Sequence, residues 1–125
     1  MNLAEFTRSW NTLTASRHKW ILLQQTPPAA LSRFFGSSLE ADALSSVLSV
    51  LHTVLSSGES EQTLVKEYMV CLPLVPRFSL IYTFLGREDK IRAKEIWTLL
   101  DDAGVTSEED KDIKKSWDVH ELGGH

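Results

Sequence analysis

The sequence holds one cysteine, Cys71, in 125 residues. A single thiol forms no internal disulfide and no cysteine-rich zinc site. Nothing in it points to an oxidising compartment. No apolar run reaches the roughly 18 residues that a membrane span needs. The start, Met1-Asn2-Leu3-Ala4-Glu5, lacks the basic-then-apolar order of a signal peptide. A basic surplus is missing too: the net charge is -4, whereas nucleic-acid binders are usually basic. The expectation is a soluble cytoplasmic domain, with the nucleus also open, and no nucleic-acid or membrane partner.

What is present is ordinary globular material, 42% hydrophobic and 24% charged, enough for one domain with a modest core. The charge is uneven. Residues 1–82 carry six basic and six acidic groups, and residues 83–125 carry seven basic and eleven acidic. The whole imbalance therefore sits in the last third.

Apolar spacing of three and four residues recurs along the chain and marks helices. Leu3, Phe6, Trp10 and Leu13 form a first face whose two aromatics should be deeply buried. Ser16 is a candidate N-cap for a second helix carrying Trp20 and Leu23. Pro27-Pro28 must stop that helix. Pro28 suits the first turn of a short third helix with Leu31, Phe34 and Phe35, closed by Gly36. After the cap candidates Ser37 and Ser38, Leu44, Val47, Leu48, Leu51, Val54 and Leu55 give the clearest helix, ending at Ser56-Ser57-Gly58. Ser60 caps a fifth, with Leu64, Tyr68, Cys71 and Leu72 on one face. Pro76 opens a sixth, with Phe78, Ile81, Tyr82 and Leu85 inward and Gly86 as its stop. The seventh runs from about Glu88 to Ala103 with Ile91, Ile96, Leu99 and Leu100 apolar, and Gly104 terminates it. Thr106 and Glu109 form a Thr-x-x-Glu capping box for a weak last helix with Ile113 and Trp117.

No stretch reads as a strand. The fold class is all-α: a compact bundle of about seven to eight short antiparallel helices. Residues 3–103 form the domain, and 104–125 form a charged, partly helical extension that should dock only loosely. No self-similarity at a fixed period supports a repeat solenoid.

Signals for chemistry are poor. His18, His52, His120 and His125 show no metal-ligand spacing. His52 reads as a boundary histidine, and His120 and His125 lie in a frayed tail. Cys71 reads as a buried structural thiol. Glu108, Glu109, Asp110 and Asp112 lack the alternation and central glycine of a calcium loop, and they suit the first turn of a helix. Arg87, Lys90, Arg92 and Lys94 alternate with Glu88, Asp89 and Glu95 as a solvated face. No phosphate loop or nucleophile elbow is present. The residues thus indicate no catalytic group, metal or cofactor, and binding to another protein is the default.

Three segments carry a resemblance. They are Phe6-Thr7-Arg8-Ser9-Trp10; Leu31-Ser32-Arg33-Phe34-Phe35 with Ser38-Leu39-Glu40-Ala41-Asp42 and Leu48-Ser49-Val50-Leu51-His52; and Val75-Pro76-Arg77-Phe78-Ser79-Leu80 with Phe84-Leu85 and Ala93-Lys94-Glu95-Ile96-Trp97. In order and spacing they resemble the C-terminal domain family of RNA polymerase II-associated protein 3, over about residues 3–102. The resemblance implies a monomeric, non-enzymatic scaffold domain that docks on the RuvB-like AAA+ ATPase ring. Tetratricopeptide repeats elsewhere in such proteins hold the ninety-kilodalton heat-shock chaperone. The clients are RNA polymerases, box C/D ribonucleoproteins and phosphatidylinositol-kinase-like kinases. Related domains act as adaptors in axonemal dynein-arm preassembly with a different partner. Lacking those repeats, this chain would be an excised domain or a short member.

Among the family's contact positions, Arg77 and Leu80 match here. The alternatives for them are a plain surface arginine and a core leucine. Glu40 and Asp42 are explained by the helix start they occupy. The chain departs from the family at Pro73 and Pro76, which should end the fifth helix early and change how Arg77 is presented. Where members often have a tyrosine-rich second helix, it carries Trp20-Ile21-Leu22-Leu23.

Overall fold

A computed structural model describes residues 2–57 and 61–117. The described residues form eight α-helices: α1 (Leu3–Thr12), α2 (Ser16–Leu23), α3 (Leu31–Phe35), α4 (Ala41–Ser56), α5 (Gln62–Cys71), α6 (Phe78–Thr83), α7 (Arg87–Asp102) and α8 (Lys111–Ser116). There is no strand among the described residues. The all-α expectation and its helix count hold.

The central element is α4. It buries Leu44, Val47, Leu48, Val50, Leu51 and Val54, too broad an arc for a helix with one covered side. It packs most extensively against α7 and α2. The amphipathic stripe of α1 brings Phe6 and Trp10 into the core, as their spacing requires. Phe6 stacks on Trp10 at 5.4 Å and meets Phe34 and Phe35 edge-on. The Tyr68 hydroxyl shares its proton between the carbonyls of Leu23 and Thr26, at 3.0 and 2.8 Å. That link ties α5 to the end of α2. Burial, and then the charges of Glu67 and Cys71, push the Tyr68 phenol above its ordinary pKa, so it stays a donor.

Several local expectations shift. Ser16 is the first residue of α2 and Ala15 is its cap, without a side-chain bond. Asn2 supplies the side-chain cap of α1, accepting from the Glu5 amide at 2.8 Å. Ser37 and Ser38 sit in a 3-10 turn, and Glu40 takes the cap position of α4. The caps proposed at Ser60 and the stop at Gly58 lie outside the described residues, as do His120 and His125. Gly36 and Gly104 have the positive φ expected of helix ends. Gly86 instead is extended and caps α7. Ile91 is exposed, because α7 turns Ala93, Ile96, Trp97 and Leu100 inward. On α5 the inward face is Val65, Tyr68, Met69 and Leu72. Cys71 is left half-buried at its edge, and burial and then Glu67 raise its thiol pKa.

The last helix differs most from expectation. Its start is a Ser107–Asp110 capping box, one residue later than Thr106–Glu109. The Thr106 hydroxyl is already bonded to Asp101, which leaves the next hydroxyl to cap. Asp110 accepts from the Ser107 amide at 2.8 Å and faces Lys66 of α5 at 3.2 Å. Lys114 reaches Asp101 at 2.9 Å. Trp117 is fully buried, so this segment is not loosely docked. An Asp110→Ala variant should lose about 1–2 kcal/mol, the usual cost of a lost cap, measured by urea unfolding. A value near zero would mean that the box does not hold α8.

Candidate docking surface

The surface around Arg77 follows from two prolines. Pro73 cannot continue α5, and the chain turns through a 3-10 segment, Leu72–Leu74. Val75 before Pro76 is extended, with φ -66 and ψ 134, as a residue preceding proline must be. The Phe78 amide then donates to the Val75 carbonyl at 3.1 Å. Residues 75–78 thus close a four-residue turn with proline at its second position. Arg77 holds the third position with φ 67 and ψ 13, the left-handed geometry that a type II turn reserves for glycine. Among the described residues it is the one non-glycine with positive φ. Its side chain is held at about 1–2 kcal/mol of backbone strain. The turn is fixed from both sides, because Val75 and Phe78 are each 2% exposed.

Arg77 and Leu80, the two positions singled out from sequence, are both exposed and three residues apart. Leu80 is not a core residue: it is 47% exposed while Phe78, Ile81, Tyr82 and Leu85 point inward. The structure adds two neighbours that periodicity did not flag. Leu74 is 63% and Phe84 71% exposed. Leu80 and Phe84, four apart, share one side of α6 and its end. Large apolar side chains left in water cost burial energy. Three of the five exposed among the described residues fall within residues 74–84. The Arg77 side chain makes no ion pair or hydrogen bond with any described residue. Glu40 and Asp42 are both exposed at the start of α4 and line a separate polar depression with Leu3, Thr7 and Phe35.

Other features are shallow or local. A depression of about 310 Å³ is lined by Gln25, Thr26, Pro27, Ala30, Arg33 and Phe34. His52 is half-buried with Nε2 3.8 Å from Glu95. No group of three or more His, Cys, Asp or Glu among the described residues could hold a metal ion. No described helix is long and apolar enough to cross a membrane.

Fold and surface together define an all-α helical domain whose distinctive feature is an exposed apolar corner around an arginine in a left-handed turn position. The chain belongs to the family described as the potential Monad-binding region of RPAP3, which matches residues 1–90. Its fold is similar to the solution structure of the C-terminal domain of the human RPAP3 protein. The TM-score is 0.73 at 19% identity, with 88% of this chain and 79% of that one covered. A comparison with curated proteins gave no match.

Proposed function

We propose that this chain is a non-enzymatic docking domain that binds the RuvB-like AAA+ ATPase ring through Arg77 and Leu80, flanked by Leu74 and Phe84. One observation carries the reading: an arginine whose side chain bonds to no other described residue occupies a glycine position between exposed apolar groups. A charged side chain kept where it strains the backbone is serving something other than the fold. Arginine beside apolar groups is the usual composition of an interface hot spot. Membership of a family described as a protein-binding region supports the class of function. In this reading the domain works in the cytoplasm and nucleus. Segments outside this sequence would link the ring to the ninety-kilodalton heat-shock chaperone for assembly of polymerases, ribonucleoproteins and kinases.

The second reading takes Monad as the partner, because that is the partner in the family's description. An adaptor role in dynein-arm preassembly would also use a different partner on the same face.

Arg77→Gly separates function from fold. Glycine removes the strain but adds unfolded-state freedom. Unfolding free energy should therefore stay level or rise by up to about 1 kcal/mol. Affinity for the assembled ring, read by calorimetry, should fall about tenfold or more, as for a hot-spot residue. A destabilised variant with unchanged affinity would contradict the proposal. Binding of the wild-type domain to Monad but not to the ring would keep the docking class and replace the partner.

A further inference from the structure

We infer that Tyr82 and Trp117 are positioning residues for the docking surface, so that α8, beyond the family-matched residues, is a working part of it. The inference rests on the docking reading above. The matched region ends at residue 90, and Trp117 closes α8 twenty-seven positions later. Yet its indole is wedged under α6. It meets Phe78 edge-on at 4.7 Å and Tyr82 at 5.3 Å, while Phe78 and Tyr82 stack on each other at 5.6 Å. Two buried hydrogen bonds fix the wedge. The Tyr82 hydroxyl donates to the Trp117 carbonyl at 2.9 Å, and Trp117 Nε1 donates to the Met69 carbonyl of α5 at 2.8 Å.

This arrangement decides where the outer face of α6 stands. The helix has only six residues, too few to hold a conformation by its own hydrogen bonds. Its inner residues alternate with its outer ones. Phe78 directly follows Arg77, and Tyr82 lies between Leu80 and Phe84. Any rotation or lift of Phe78 and Tyr82 therefore moves Arg77, Leu80 and Phe84. Lys66–Asp110 ties the start of α8 to α5, and Lys114–Asp101 ties its second half to α7. The short docking helix is braced through Trp117 against two of its neighbours, and the brace comes from the charged C-terminal segment.

The test uses the full chain with two conservative variants. Tyr82→Phe removes only the hydroxyl that reaches Trp117. Trp117→Phe keeps an aromatic ring but removes the bond to Met69. Lys115→Ala, which breaks an exposed pair with Asp112 on α8, is the control. Amide hydrogen exchange is read at Ile81, Phe84 and Leu85 and, for comparison, along α4. Affinity for the assembled RuvB-like ring is read in parallel. In both variants the amides around α6 should exchange about fivefold faster, the equilibrium weight of one buried hydrogen bond. Those of α4 should keep their rates, and ring affinity should fall by a similar factor. The control should change neither. Wild-type exchange around α6 in both variants would overturn the inference, and so would faster exchange with unaltered affinity. Failure of the wild-type domain to bind the ring would overturn the docking reading instead. The exchange measurement needs no partner and would still decide whether Trp117 braces α6.

Discussion

Replacing Trp117 by alanine is expected to lower the unfolding free energy by about 3–5 kcal/mol, the range for truncating a buried large aromatic. The side chain has no exposed surface. Its removal leaves a cavity between Phe78, Tyr82 and α5, and leaves the Met69 carbonyl without its donor. An orphaned buried acceptor alone costs about 1–3 kcal/mol. Set against the 5–15 kcal/mol that holds a typical domain, the variant should unfold at markedly lower urea. A change of under about 1 kcal/mol, the size typical of surface substitutions, would show that α8 is not part of the core.

Trp10→Ala should cost a comparable amount, about 3–5 kcal/mol, for a different reason. Trp10 joins the first helix to the central one. Its Nε1 donates to the Ser46 hydroxyl of α4 at 2.8 Å. Its ring stacks on Phe6, and the Lys19 ammonium lies 5.3 Å from the ring centre. The loss falls on the seam between α1, α2 and α4. Thermal or denaturant unfolding of the variant reads it directly. Because the hydrogen-bond and ring partners described for the two tryptophans differ, the double variant should show additive losses. Strong non-additivity would mean that the two ends of the bundle are coupled through α4.

Helix order and core were legible wherever an apolar stripe repeated over three or more turns. Leu44 to Val54 and Leu3 to Leu13 are the clearest cases, because amphipathic periodicity is a local property. Two kinds of feature were not legible. Which turn residue caps a helix depends on competition among adjacent hydroxyls. Thr106 was drawn off by Asp101, so Ser107 took the cap. Whether a short segment docks depends on contacts distant in sequence. Trp117 in a charged tail gives no sign that Met69 and Tyr82 wait for it.

At the candidate site, Arg77 and Leu80 came from a resemblance, and their exposure came from the fold. Leu74 and Phe84 carry no periodic signal of their own. Proline spacing did foretell that α5 ends before Pro73. The left-handed Arg77 was not legible, because Pro76 suits type I and type II turns alike and a third position without glycine argues for type I. The Trp97 indole, buried without a hydrogen-bond partner in the described structure, could not have been read from sequence. The ring is fully buried, with the Lys114 ammonium of α8 5.8 Å from its centre.

The most direct test of the docking face is a titration of isotopically labelled domain with the assembled RuvB-like ring, followed by residue-resolved amide NMR. Signal loss and shift changes should centre on residues 74–84, strongest at Arg77, Leu80 and Phe84, and leave α1 and the Pro27–Phe34 depression unchanged. Changes centred on α1 or that depression, with residues 74–84 silent, would contradict the account.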